Sequence, residues 1–293
     1  MSLAAVAWPV GYVVFLLAAA LVMQRCLRRA TPIGPVLGTL SMVWLAFAFY
    51  GVLGRWPSMI GFPADNLSEP WEQGIGPLIL GGWIWLLIGV ACHLTNALRV
   101  WIAQFLAAIV LLVALPRGAS YADVMSGNAV WTVASVVAVG ASALATEHLR
   151  ATRAGRWTLV CFTVQLFLVA AVLLACYGTL GEFALVAALG LGCLAFGQAC
   201  GIGDDRVLSV AWCATTLACL LLGHVRIYSA TALPLWLAPL VMGYPAMVAA
   251  VDGLIAGRLP GYWRLGLAAG LTVSLVAVTL GWLILGEPGA SDW

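Results

Sequence analysis

Residues 77–115 read PLILGGWIWLLIGVACHLTNALRVWIAQFLAAIVLLVAL, and the division of this stretch sets the orientation of everything after it. Beyond Gly89 it contains no Gly or Pro. As one helix its 39 residues would reach about 58 Å at roughly 1.5 Å per residue, against a hydrocarbon core of about 30 Å. Either the chain turns back near His93–Arg99, or an apolar helix projects far into water.

Composition places the stretch in a membrane. Across 293 residues 64% are hydrophobic and 8% charged, with a mean hydropathy of +1.07. Repeated apolar runs of about twenty residues read as transmembrane helices. The expected fold is all-α: a single polytopic domain, residues 1–293, with spans near 3–23, 33–53, 77–95, 99–115, 129–146, 157–176, 183–202, 207–223, 233–251 and 265–285. The basic cluster Arg25, Arg28 and Arg29 follows the first apolar run rather than preceding it. That polarity is the reverse of a secretory signal peptide, so the first run is expected to be a retained anchor with both chain termini outside.

Arginine counting favours the turn. All thirteen basic residues are Arg, and ten spans place ten of them on the cytoplasmic side and three (Arg55, Arg117, Arg226) outside. Without the turn Arg99 lies in the bilayer, with five Arg inside and seven outside, against the positive-inside rule. Trp8, Trp101, Trp131, Trp157, Trp263 and Trp282 fall near proposed span ends, where indoles prefer the headgroup region. The loop 54–76 sets Arg55 against Asp65, Glu69 and Glu72. With short connections, sequential helices should be antiparallel neighbours. The Arg are spread over many loops, which excludes a basic nucleic-acid-binding face. The eight Cys include no CxxC pair and read as packing residues. The all-Arg, Ala- and Gly-rich composition fits the inner membrane of a bacterium with GC-rich coding.

Polar groups at membrane depth are the first place to look for function. His93 lies one turn from Asn96 and one turn from Gly89, near the inner end of its span. It reads either as a turn-stabilising residue or, with His148 at the same side of the membrane, as a haem or metal ligand pair. Gln104, Gln165 and Gln198 lie in three separate spans and could line a polar path or bridge helices. The run 183–202 is rich in small residues: Gly190, Gly192, Cys193, Gly197 and Gly201. These form a packing ladder that lets a neighbouring backbone approach, with Leu194 expected toward lipid. The run 233–251 carries Pro239, Gly243 and Pro245, and two prolines in mid-membrane should bend or break the helix, as in the interrupted helices of carriers.

No nucleophile motif, metalloprotease motif, phosphate-binding loop or paired intramembrane carboxylate occurs in the chain. The leading functional expectation is a small carrier or permease-like protein moving a small solute, with His93, Asn96, Gln104, Gln165, Gln198, Pro239, Gly243 and Pro245 as path candidates and no resident cofactor. The alternatives are a non-catalytic subunit or scaffold bound to itself or to a membrane partner chain, and a haem- or metal-binding enzyme using His93 and His148. The lipid bilayer is the one partner common to all three.

Overall fold

The computed structural model describes residues 34–57, 70–91, 96–114, 133–142, 144–145, 149, 166–174, 178–199, 209–228, 237–255 and 258–285. Among the described residues all regular structure is helical, so the protein is all-α. We number the helices α1 (Gly34–Leu53), α2 (Pro70–Ala91), α3 (Asn96–Ala114), α4 (Val133–Ser142), α5 (166–174), α6 (Gly178–Ala199), α7 (Ser209–Tyr228), α8 (Leu237–Ile255) and α9 (Gly261–Leu285). The expected first span, 3–23, lies outside the described residues, as do His93, His148, Gln165 and Gly201.

Helices α2 and α3 divide the deciding stretch between Ala91 and Asn96. They pack side by side, with Gly81 of α2 facing Leu106 and Val110 of α3. Parallel packing in that register would put Asn96 about 33 Å from Ala91 along the helix axis, beyond the roughly 19 Å that the linking chain can span. The pair is therefore an antiparallel hairpin. Residues 96–99, expected in the turn, belong to α3.

Several boundaries move outward from the expected spans. Helix α2 starts seven residues before Pro77, with Pro70 as its first residue and Glu72 in its first turn. A proline there forfeits no helical hydrogen bond, and the carboxylate suits the positive end of the helix dipole. Arg55, just past α1, pairs with Glu72 and ties the ends of α1 and α2 together. Helix α1 stops at Gly54, whose φ of 69° lets its N–H donate back to the Tyr50 carbonyl at 2.8 Å. Trp56 then folds back, stacked on Tyr50 at 4.7 Å and edge-on to Phe47 at 5.4 Å.

The expected break between Pro239 and Pro245 does not occur: α8 runs unbroken from Leu237 to Ile255. Its start lies four residues later than expected, so Pro239 falls in the first turn, where no intrahelical donor is lost. Only Pro245 lies in the helix interior, and one missing bond does not end a helix held by packing on both sides.

The main core gathers α1, α2, α3, α6 and α7, with Val139 of α4 and Leu166, Val169, Ala170, Val172 and Leu173 of α5. Met42 of α1 lies over Gly82 of α2, and Phe49 meets Phe183 of α6 edge-on at 6.0 Å. Helix α7 is the hub: residues 212–223 are all buried, and the helix touches α1, α2, α3, α6 and α8. A second, smaller cluster joins Tyr244 and Val248 of α8 to Ala268 and Leu275 of α9, with Ala145, Leu149 and Leu168.

A polar seam around the central helix as candidate functional site

The helix that the sequence singles out least carries the most buried polarity. Helix α7 places Trp212, Cys213, Thr215, Thr216 and Cys219 within two turns, every one buried. Trp212 donates its indole N–H to the Ala103 carbonyl of α3 at 3.3 Å, while its ring covers Gly81 of α2. On the next turn Thr215 and Ser142 of α4 share a hydrogen bond of 3.0 Å. One turn further, the Cys219 thiol lies beside the Ser135 hydroxyl of α4. Ser135 and Ser142 are seven residues apart on α4, hence on one face, and Thr215 and Cys219 are four apart on α7. The two faces meet antiparallel as a seam of hydroxyls and thiol in an otherwise apolar centre.

Two hydroxyls of this region, Ser135 Oγ and Thr216 Oγ1, are fully buried and make no ordinary hydrogen bond among the described residues. The neighbouring Cys219 sulfur is only a weak partner for Ser135. A threonine in a helix can always turn to the carbonyl one turn back. Thr272 and Thr279 of α9 do so, donating to the Ala268 and Leu275 carbonyls at 2.8 Å each. Thr216 does not. A buried hydroxyl left unsatisfied costs about 1–3 kcal/mol, so this geometry is an expense with no structural return.

Of the path candidates, Gln104 is half-buried and its amide packs on Gly140 of α4, at a height between Ser135 and Ser142 but on a different face of that helix. Asn96 begins α3 and Gln198 lies in the last turn of α6, far along the chain from that contact. Gly243 is half-buried with open space at its Cα, and Pro245 is buried on the same helix, which gives Leu237, Val241 and Met242 to the main core and Tyr244 and Val248 to the smaller cluster. Pro239 lies at the start of α8.

The small residues of α6 divide between two faces. Gly190 lies under the Trp44 indole so closely that a Cβ there would overlap the ring, and Trp44 donates its N–H to the Val186 carbonyl at 3.1 Å. Gly192 and Cys193 are partly exposed on the side that carries Phe196, and Gly197 lies one turn beyond Cys193. Leu194, expected toward lipid, is fully buried, because the inward face of α6 follows Ala187, Gly190, Leu191 and Leu194 rather than the glycine ladder.

The buried charges among the described residues lie near helix ends. The buried charged residues among those described are Glu72 and Asp252, and each has an arginine partner. Arg264, in the first turn of α9, grips Asp252, in the last turn of α8, with Nε donating to Oδ1 at 2.7 Å and Nη2 to Oδ2 at 2.5 Å. Both charges oppose the dipoles of their own helices, so each depends on the other for compensation. Among the described residues no group of three or more His, Cys, Asp or Glu could hold a metal ion.

No protein-family model, curated protein or solved structure matches this chain. Its class rests on the fold itself: an all-α protein in which two helical segments, Gly178–Phe196 and Gly261–Trp282, are long and apolar enough to cross a membrane.

Proposed function

We propose that this chain is a multi-pass protein of a bacterial inner membrane, with ten spans and both termini outside, acting as a small carrier of permease type. The observation that carries the reading is an inverted polarity. Leu254, Trp101, Phe105 and Leu87 are 73%, 69%, 66% and 66% exposed, whereas Ser135, Thr215 and Thr216 are completely buried. Water disfavours that order, and a hydrocarbon surround suits it. A polar seam on the central helix is where a solute path is best placed, since surrounding helices shield it from lipid.

The exposed flank of α9 supports the subunit reading as an alternative, because a partner chain could cover it as well as lipid does. Purification separates the readings. A monodisperse, colourless monomer or homodimer is expected for the carrier. A stoichiometric second chain favours the subunit, and a haem absorption band would revive the pair His93 and His148. Orientation is tested with cysteine introduced for Leu98, near the start of α3 and 46% exposed, in a background freed of native Cys. Labelling from the cytoplasmic face is expected. Labelling from the outer face would overturn the ten-span frame.

A further inference from the structure

The unpartnered hydroxyls allow the carrier reading to be taken one step further, to the chemistry of its solute. We infer that the α4–α7 seam binds a small neutral polyol. The inference rests on the carrier reading. Its own basis is Ser135 and Thr216, two completely buried hydroxyls without ordinary hydrogen-bond partners among the described residues. Cys219 links them in space, since it lies beside Ser135 and one turn from Thr216 on α7. Thr216 forgoes the carbonyl one turn back that Thr272 and Thr279 use, so its hydroxyl is held ready for a group outside its own helix.

The class of solute follows from what these groups offer. A serine or threonine hydroxyl supplies one donor and two acceptor lone pairs, and its best complement is a group that both gives and takes a proton. A cation would call for carboxylates and an anion for arginine, yet the buried carboxylates among the described residues, Glu72 and Asp252, are both engaged by arginine at helix ends. The Ser142–Thr215 bond beside the two hydroxyls can run in either direction, so the seam is not committed to one polarity. Trp212 and Val139 supply the apolar walls against which the C–H faces of a polyol pack.

The test is a stopped-flow flux assay on proteoliposomes of the full chain, with glycerol and erythritol as uncharged probes, acetate as an anionic one and alanine as a zwitterionic one. Polyol entry above protein-free vesicles is expected, with acetate and alanine unchanged. Thr216→Val and Ser135→Ala should each lower polyol flux by about tenfold while the detergent melting temperature holds or rises, since each removes an unsatisfied group. Thr216→Ser keeps the hydroxyl and should retain flux. Movement of acetate or alanine but not polyols would overturn the inference and leave the carrier reading standing. Polyol flux indifferent to both variants would place the site elsewhere and overturn it as well. No movement of any probe would remove the neutral-solute site and the carrier reading together.

Discussion

Helices α6 and α9 are equally apolar and of similar length, yet 61% of the spanning segment of α6 is buried and only 17% of that of α9. Hydropathy reports that a helix leaves water; it does not report what receives it. Helix α6 is received by protein: Gly190 admits the Trp44 indole, Phe183 meets Phe49, and Ala184, Ala187 and Ala188 are fully buried. Helix α9 touches the rest through a narrow line, Ala268, Thr272 and Leu275 in the smaller cluster and Trp282 against the main core, and presents Tyr262, Trp263, Leu267, Val273 and Val278 outward. Two kinds of binding follow. Helix α6 is fixed by shape, which tolerates no added atom, and α9 by a few polar links at its end and middle.

The largest effect is expected at the charged link of α9. Asp252→Ala leaves the Arg264 guanidinium without its counter-charge in a site only 12% exposed, and should cost about 3–5 kcal/mol in reversible unfolding from detergent. Replacing both partners by Leu should recover most of that loss. If the single variant is as stable as the parent, α9 is not held by this pair.

Next comes the shape dependence of α6. Gly190→Leu should destabilise by about 1–3 kcal/mol, because the new side chain and the Trp44 ring claim the same space. Gly270→Leu on α9, which opens onto empty space, should change stability by less than about 0.5 kcal/mol. Equal losses at the two glycines would erase the distinction between the helices.

A smaller effect belongs to the mid-height link of α9. Tyr244 and Thr272 share a hydrogen bond, and Tyr244→Phe should cost about 0.6–1.5 kcal/mol, the range for one bond between helices in hydrocarbon. The smallest is Val273→Ala, at a position 66% exposed, expected within about 0.5 kcal/mol of the parent melting behaviour. A large loss there would mean that protein, and not lipid, covers this face.

The sequence discloses helical content well and partnership poorly. The turn in residues 77–115 is legible because helix length, bilayer thickness and the position of Arg99 all demand it. The exposed Trp101 and Trp263 fit the expectation that indoles mark helix ends, but Trp44 and Trp212 are buried and bonded to backbone carbonyls of other helices. Nothing local distinguishes the two sets, since partner carbonyls come from α6 and α3. Prolines invite a break at residues 239–245, yet Pro239 falls in the first turn of α8, where it is harmless, and the helix runs on through Pro245. The hydroxyl seam is the plainest omission. Ser135, Ser142, Thr215 and Thr216 are common residues in apolar runs, and only the packing of α4 on α7 shows that two of them lack the partners such residues ordinarily find. A serine pair at seven-residue spacing facing a Thr–Cys pair at four is the signal that could have been weighed.

The central claim, that hydrocarbon surrounds α9 while protein surrounds α6, is tested most directly by labelling proteoliposomes with a carbene reagent that partitions into the lipid phase, followed by peptide mass spectrometry. Heavy labelling at Val273, Val278 and Leu280 of α9 is expected, with little or none across residues 183–195 of α6 except at partly exposed positions such as Cys193. Equal labelling of the two helices, or labelling of α9 only by a water-soluble reagent, would contradict the account.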